Sequence, residues 1–467
     1  QSIERGADIM ATEQEKKPKA KKKAKSWIRP RHKVVRTILY YTLGTYCKLR
    51  YNAKVEKFKE WEDRPYCILL NHVTPFDQFF AGISFKGPVY YLATEDIFSL
   101  GWISDLIRWL VAPIPIRKQT TDIKAVKDCI KVAREGGTIC LAPEGNRTFH
   151  GKTVYMNPAI ASLAKKLALP IAFFRIEGGY GIHPRWSDVV RGGTMKSYIS
   201  RVMEPEEYAD MTKEQLAGII QQELFVDEAQ VTGEYPHPQN AEFLERAMYV
   251  CPWCGLSTFE SHGDIIHCTK CGRQIRHLPT KELEGIGFAF PHRFVADWYQ
   301  WQEDYIKNTD PTGLIQEPVY RETVRLSRVH AYKYKELLKK DAAVCLYGDR
   351  ITVDNREFPF DTVGAVVVLG KNKVNIYDGN ENKVYSNKTK TSEYGIVSGS
   401  FKLADEVNSG TYKLKVKSEN QEMTKTFNVN PYITPTFEVS VTSDKEYYIV
   451  KKENYMIKKI LIILLNI

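Results

Sequence analysis

Four short apolar runs, each carrying polar residues at or near one end, constrain this chain more than any other feature. Cys67 to Leu70 leads into Asn71 and His72, and Val111 to Lys118 (VAPIPIRK) runs into Arg117. Thr138 to Ala142 ends in Pro143-Glu144-Gly145-Asn146-Arg147, and Ala168 to Phe174 begins a further buried strand whose Pro170 suits its first position. Apolar runs of this length bounded by turn residues read as buried strands. Strands that each deliver chemistry at one end predict an open α/β sheet with a site beyond their carboxyl ends. Within the first run, Asn71 breaks the strand and Pro75 suits the first turn of a following helix. His72 then sits in the strand-to-helix turn, with Asp77 about one helical turn inside and able to reach back. A His acts as a base when a carboxylate fixes its tautomer and its free nitrogen meets a substrate proton. The pair alone is ambiguous, since an acid at a helix start also interacts favourably with the dipole.

These strand ends resemble the glycerophospholipid acyltransferases, the family that includes 1-acylglycerol-3-phosphate acyltransferase. Its NHxxxxD motif is matched by Asn71, His72 and Asp77, and its EGTRS motif by Glu144, Gly145, Asn146, Arg147 and Thr148. Asn146 replaces the usual Thr and Thr148 the usual Ser, while Ile114 to Arg117 keeps the family's Arg without the Asp that often precedes it. The resemblance covers residues 36 to 232. It implies an α/β acyltransferase domain with a mixed sheet that moves a fatty acyl group from a thioester, acyl-CoA or acyl-carrier protein, to the hydroxyl of a lysophospholipid such as 1-acylglycerol-3-phosphate. Phospholipid biosynthesis or remodelling is the implied setting.

The residues permit that chemistry. His72 takes the proton from the acceptor hydroxyl, the oxygen attacks the thioester carbonyl, and Asp77 orients the ring and stabilises its charged form. No acyl-enzyme is needed, and the chain contains no G-x-S-x-G elbow. Cys67 and Cys140 lie in apolar runs, as core-filling thiols do. Arg147 and Arg117 are expected to hold the acceptor phosphate, because a guanidinium binds two oxygens at once; the plainer reading of Arg117 is a surface cation at a strand end. Gly145 permits close backbone approach, and Glu144 anchors the loop or the glycerol hydroxyl.

Residues 16 to 36 hold eleven Lys or Arg and no acid, which accounts for the whole net charge of +11. The basic character is therefore local, a tail over residues 1 to 35. Such a block also suits nucleic acid, but here it leads into Trp27, Val34, Val35, Ile38, Leu39, Tyr40 and Tyr41, a stretch too short to span a bilayer. A polybasic segment beside an interfacial helix suits an anionic membrane surface, so peripheral or monotopic attachment to the cytoplasmic face is expected, and a nucleic-acid partner is not. A solvated tail is the alternative for residues 1 to 26. Met10 reads as the initiator, leaving Gln1 to Ile9 foreign. No run of 18 or more apolar residues occurs. Trp102, Leu106, Trp109 and Leu110 share one helical face, destined for either the interface or the sheet.

A second signal lies in residues 233 to 280, which read as a linker followed by a zinc ribbon. Cys251-x-x-Cys254 and Cys268-x-x-Cys271, thirteen residues apart and each followed by Gly, predict a small ribbon closed on structural zinc; disulfides or a redox pair are the alternatives. His262 and His267 within the loop read as polar surface residues. Residues 281 to 341 read as mainly helical, residues 342 to 386 as a small β domain, and residues 451 to 467 as a tail. Residues 387 to 450 complete a β-rich C-terminal region and resemble a β-sandwich of the α2-macroglobulin and complement family, carried by GTYKLKV and TPTFEVSV. Such modules are extracellular and disulfide-permissive, so a composite chain joined near Lys383 to Thr391 is expected. An ordinary β sandwich of convergent pattern is the alternative. The functional class that competes with the enzyme is a membrane-associated adaptor, whose ribbon and basic tail bind partners or nucleic acid.

Overall fold

A computed structural model describes residues 26–59, 62–94, 97–116, 122–330, 334–360, 363–369, 373–378, 410–417 and 422–429. The four apolar runs enter one sheet built from β1 (Ala53–Val55), β2 (Cys67–Leu70), β3 (Val89–Thr94), β4 (Ile114–Ile116), β5 (Thr138–Leu141), β6 (Ile171–Glu177) and β7 (Met195–Met203). Their spatial order is β1-β7-β6-β2-β5-β3-β4. From β6 to β4 all neighbours are parallel, while β7 runs antiparallel to β6 and parallel to β1, so the sheet is mixed as expected. The carboxyl ends of β2, β4, β5 and β6 therefore lie on one side.

The helices are α1 (Pro30–Leu39), α2 (Thr45–Arg50), α3 (Asp77–Ser84), α4 (Trp102–Val111), α5 (Ile123–Arg134), α6 (Ala159–Leu167), the short α7 (Gly179–Ile182) and α8 (Pro205–Tyr208), α9 (Lys213–Leu224) and α10 (Val295–Asn308). Every residue of β2 is buried because helices cover both faces, which is why the strand is continuously apolar rather than alternating. Cys67 and Leu69 pack with Ile139, Ile171 and Phe173 beneath α5, α6 and α9. Ile68 and Leu70 point the other way, with Cys140 and Phe174, against α2 and α3. Each such side chain contributes about 1.5–3 kcal/mol on burial, so this strand anchors both layers.

Two sequence expectations change here, and one left open is decided. The basic tail does not extend to residue 35: Glu135 accepts hydrogen bonds from the Ser26 hydroxyl and from the Trp27 and Ile28 amides, and α1 begins at Pro30 with His32 and Val35 buried. Residues 1–25 lie outside the described residues. Of the α4 face, Trp102, Leu106 and Trp109 are exposed, and Leu110 is half-buried near Val89 and Tyr90 of β3. Residues 281 to 341 are not mainly helical. Leu283–Gly285 completes a four-stranded ribbon sheet, among the described residues of this stretch only α10 and the short turn Pro311–Leu314 are helical, and Tyr320–His330 pairs antiparallel with Tyr334–Leu346. Pro311, Gly313 and Pro318 end the helical stretch, and the Thr and Val that follow fit a strand. The boundary placed at residue 342 thus falls inside a strand. Further on, Val363–Leu369 pairs with Lys373–Asp378, and Gly410–Lys417 with Glu422–Val429. The junction read near Lys383 to Thr391 and the tail at 451 to 467 lie outside the described residues.

The segment read as a linker is built into the α/β layer at Tyr235, whose ring is buried with Ile176, Ile182 and Met195. A Cβ on Gly181 would lie 2.5 Å from that ring, so only glycine lets α7 pass over it. Gly181→Ala is expected to destabilise the protein by about 1–3 kcal/mol, read as a lower urea midpoint. A midpoint equal to the parent's would show that Tyr235 is not locked in place.

Candidate active site

β2 ends at Leu70, and Asn71 ties that end to β6. Its side-chain N–H donates to the Ile176 carbonyl at 2.9 Å, and its Oδ1 accepts the Ile176 amide at 2.8 Å. His72 thus leaves the sheet at a fixed point. Its Nδ1 lies 2.8 Å from Asp77 Oδ2; the Asp77 side chain is fully buried, whereas that of His72 is 26% exposed. Asp77 also accepts the Val73 amide at 2.6 Å, the Thr74 amide at 2.9 Å and the Thr74 hydroxyl at 2.5 Å. Surrounded by donors, the carboxylate fixes the ring with Nδ1 as the donor, and Nε2 is left as the free acceptor. Thr74 was not singled out from the sequence. Its signal is the Thr74-x-x-Asp77 spacing of a helix start.

The loop after β5 grips His72 from the opposite side. Glu144 Oε1 accepts the His72 amide at 2.7 Å and its Oε2 accepts the Val154 amide at 3.0 Å, while the His72 carbonyl accepts the Thr148 amide at 3.1 Å. Glu144 is therefore a loop anchor whose oxygens are both engaged. Burial pushes its carboxyl up to about 8, against the pull of the two amides. Gly145 adopts φ +69° with open space around it, so the left-handed turn, and not a close approach within the protein, calls for glycine.

Arg147 is only 9% exposed, and among the described residues its buried Nη1 has no hydrogen-bond partner. Burial lowers its pKa, with the charges of Asp77 and Tyr51 opposing that shift. A buried cation with an unused donor beside the His72–Asp77 pair is suited to an anion. The structure thus gathers His72, Asp77, Glu144, Gly145 and Arg147 at neighbouring strand ends, whereas Arg117 lies outside the described residues. Arg185 went unnoticed in the sequence, and its Nη1 donates to the Arg147 carbonyl at 2.9 Å. Cys67 and Cys140 are buried thiols, and burial pushes Cys67 up to about 12, which is unsuited to a nucleophile.

A separate centre lies in the ribbon. The sulfurs of Cys251, Cys254, Cys268 and Cys271 all fall within 4.8 Å of one another. Cys251 and Cys271 are 3.8 Å apart, too far for a disulfide and close to the roughly 3.8 Å edge of a tetrahedron of metal–sulfur bonds about 2.3 Å long. Gly255 and Gly272 take φ +70° and +68°, turning the chain back after each knuckle. Burial pushes the Cys251 thiol up to about 12, against the pull of the Trp253 and Cys254 amides. Burial opposes ionisation of Cys271, yet the amide and side chain of Arg273 hold its thiol down to about 6. The donor set fits a soft divalent metal.

Residues 51–177 match the sequence model of the Acyltransferase family. Among curated proteins, an 86-residue stretch, 18% of this chain, is 35% identical to alpha-2-macroglobulin from Thermotoga maritima, in keeping with the resemblance read in the C-terminal β region. The match spans 6% of that relative's length. Among solved structures, the chain is similar to the 1-acyl-sn-glycerophosphate (LPA) acyltransferase PlsC from Thermotoga maritima, with 19% identity and a TM-score of 0.36 over 42% of this chain and 80% of that one.

Glu144→Gln places an NH2 group against one of the two amides that the carboxylate accepts. We expect acyl-transfer activity to fall at least about tenfold while the fold is retained. Parent-like rates in a steady-state assay would remove Glu144 from the support of His72.

Proposed function

Because the chain carries an Acyltransferase-family segment that holds His72, Asp77, Glu144 and Arg147, we propose that it transfers a fatty acyl group from an acyl thioester to the hydroxyl of a lysophospholipid such as 1-acylglycerol-3-phosphate. One observation carries this reading: an Asp77-anchored histidine and a buried arginine, whose Nη1 has no partner among the described residues, lie on adjoining strand-end loops, the His72 carbonyl accepting the amide of Thr148 next to Arg147. Nε2 takes the proton from the acceptor hydroxyl as its oxygen bonds to the thioester carbonyl carbon. The tetrahedral adduct then collapses, the C–S bond breaks, and the departing thiolate recovers the proton from His72. Arg147 holds the acceptor phosphate during both steps. Acyl-CoA or acyl-carrier protein supplies the thioester.

Two further features support a lipid substrate. A shallow apolar pocket lies between α1, α3 and β3 and is lined by Leu39, Phe79, Ile83, Val89 and Val111. Its apolar lining suits part of an acyl chain. On α4, Trp102 and Trp109 are 74% and 55% exposed, near the basic residues of α1, and Arg31 lies 5.3 Å over the Trp109 ring. We read this face as a peripheral or monotopic contact with an anionic membrane surface on the cytoplasmic side. Among the described residues no helix is long and apolar enough to cross a membrane. The four-cysteine centre is assigned to structural zinc, which leaves no open position for catalysis.

His72→Ala is expected to lower acyl transfer about 10²–10⁴-fold in a folded protein, and near-normal rates would sink the assignment. Arg147→Ala is expected to weaken phosphate-bearing acceptors most, so equal losses with neutral acceptors would count against its role. Elemental analysis under reducing conditions is expected to find about one zinc per chain, and chelation is expected to unfold the ribbon first. Metal-free protein with an intact ribbon would refute the zinc assignment.

A further inference from the structure

The sequence motifs supply one buried arginine, and the fold adds a second. Arg185 follows α7 and is 3% exposed. Its Nη1 donates to the Arg147 carbonyl at 2.9 Å, and its guanidinium lies 4.0 Å over the Phe149 ring, so it holds the stretch from Arg147 to Phe149 at two points. Burial, and then the charge of Arg147, bring Arg185 down to about 9. Two guanidiniums within electrostatic reach in a dry setting repel each other, and an anion bound beside them relieves that repulsion.

The support for this arrangement comes from outside the α/β sheet. Trp186 is buried in one apolar cluster with Cys251, Ile266, Cys268 and Trp298, and Phe149 packs against the same cluster. The Trp186 indole N–H donates to the Tyr180 hydroxyl at 3.0 Å, and that hydroxyl donates to the Phe149 carbonyl at 3.2 Å. Arg246 donates to the Trp186 carbonyl at 3.2 Å. The ribbon core thus clasps both residues that flank the arginine pair.

We propose that Arg185 positions the anionic group of the acyl acceptor: it fixes Arg147 and adds a second buried charge, and the cysteine ribbon is the wall that holds it there. The proposal rests on the acyl-transfer reading but makes a separate demand, namely that the free protein binds a phosphate monoester through Arg185. The probe is glycerol 3-phosphate, titrated by calorimetry into the full chain, with kinetics on 1-acylglycerol-3-phosphate alongside.

Arg185→Met is expected to weaken binding at least about tenfold and to raise KM by a similar factor, with kcat falling less than about threefold. Arg185→Lys restores part of the loss, because it keeps the charge without the planar fork. Phe149→Leu keeps the apolar volume and removes the ring beneath the guanidinium, for about a threefold weakening. Unchanged binding in Arg185→Met, or in Phe149→Leu should Arg185→Met fail to fold, overturns the proposal. So does a parent protein that transfers acyl groups without binding the probe. Binding that depends on Arg185 in a protein that moves no acyl group would instead uphold Arg185 as a phosphate-binding residue and sink the acyl-transfer reading.

Discussion

The parallel pairing of β2 with β5 on one side and β6 on the other is the constraint on which the rest of the structure depends. It brings three carboxyl ends side by side, so that residues distant in sequence become hydrogen-bonding neighbours. Asn71 closes against Ile176 of β6, and the His72 backbone is held at both its amide and its carbonyl by the loop after β5. A histidine held through its main chain on one side and through its ring by Asp77 on the other has little freedom to lose on binding substrate. Such preorganisation is what a proton-transfer site requires.

Burial sets the electrostatic character of the site. Asp77 accepts hydrogen bonds from the amides and hydroxyl around it, and burial pulls Arg147 and Arg185 below the usual guanidinium range. Keeping cations dry costs several kcal/mol per ion unless something offsets it. On the proposed reading, the anionic group of the acceptor offsets that cost. The buried thiols nearby are pushed the other way and remain core packing.

The chain's apparent modules prove to be interlocked. Tyr235, in what reads as a linker, fills a space that Gly181 leaves open, and Trp186 of the α/β domain lies in the ribbon's apolar cluster. Composition shifts and turn residues mark where a chain changes style, but not which side chains cross the boundary. For the same reason the segment after α10 reads as helical in sequence and folds as strand: its charged and aromatic composition suits either state, and pairing between Tyr320–His330 and Tyr334–Leu346 decides for strand.

By itself the sequence determined the local elements and their chemistry. The apolar runs of β2, β5 and β6, the His72 and Asp77 spacing across a strand-to-helix turn, and the paired cysteine knuckles are all short-range patterns governed by side-chain period and turn preference. The tertiary structure alone decided that Glu144 spends both oxygens on backbone amides instead of substrate. It also brought Arg185 beside Arg147 and turned the apolar face of α4 outward. Those outcomes depend on which strand ends lie next to one another and on which faces find a partner. Neither is fixed by residues close in sequence, because each requires burial energy gathered from the whole sheet.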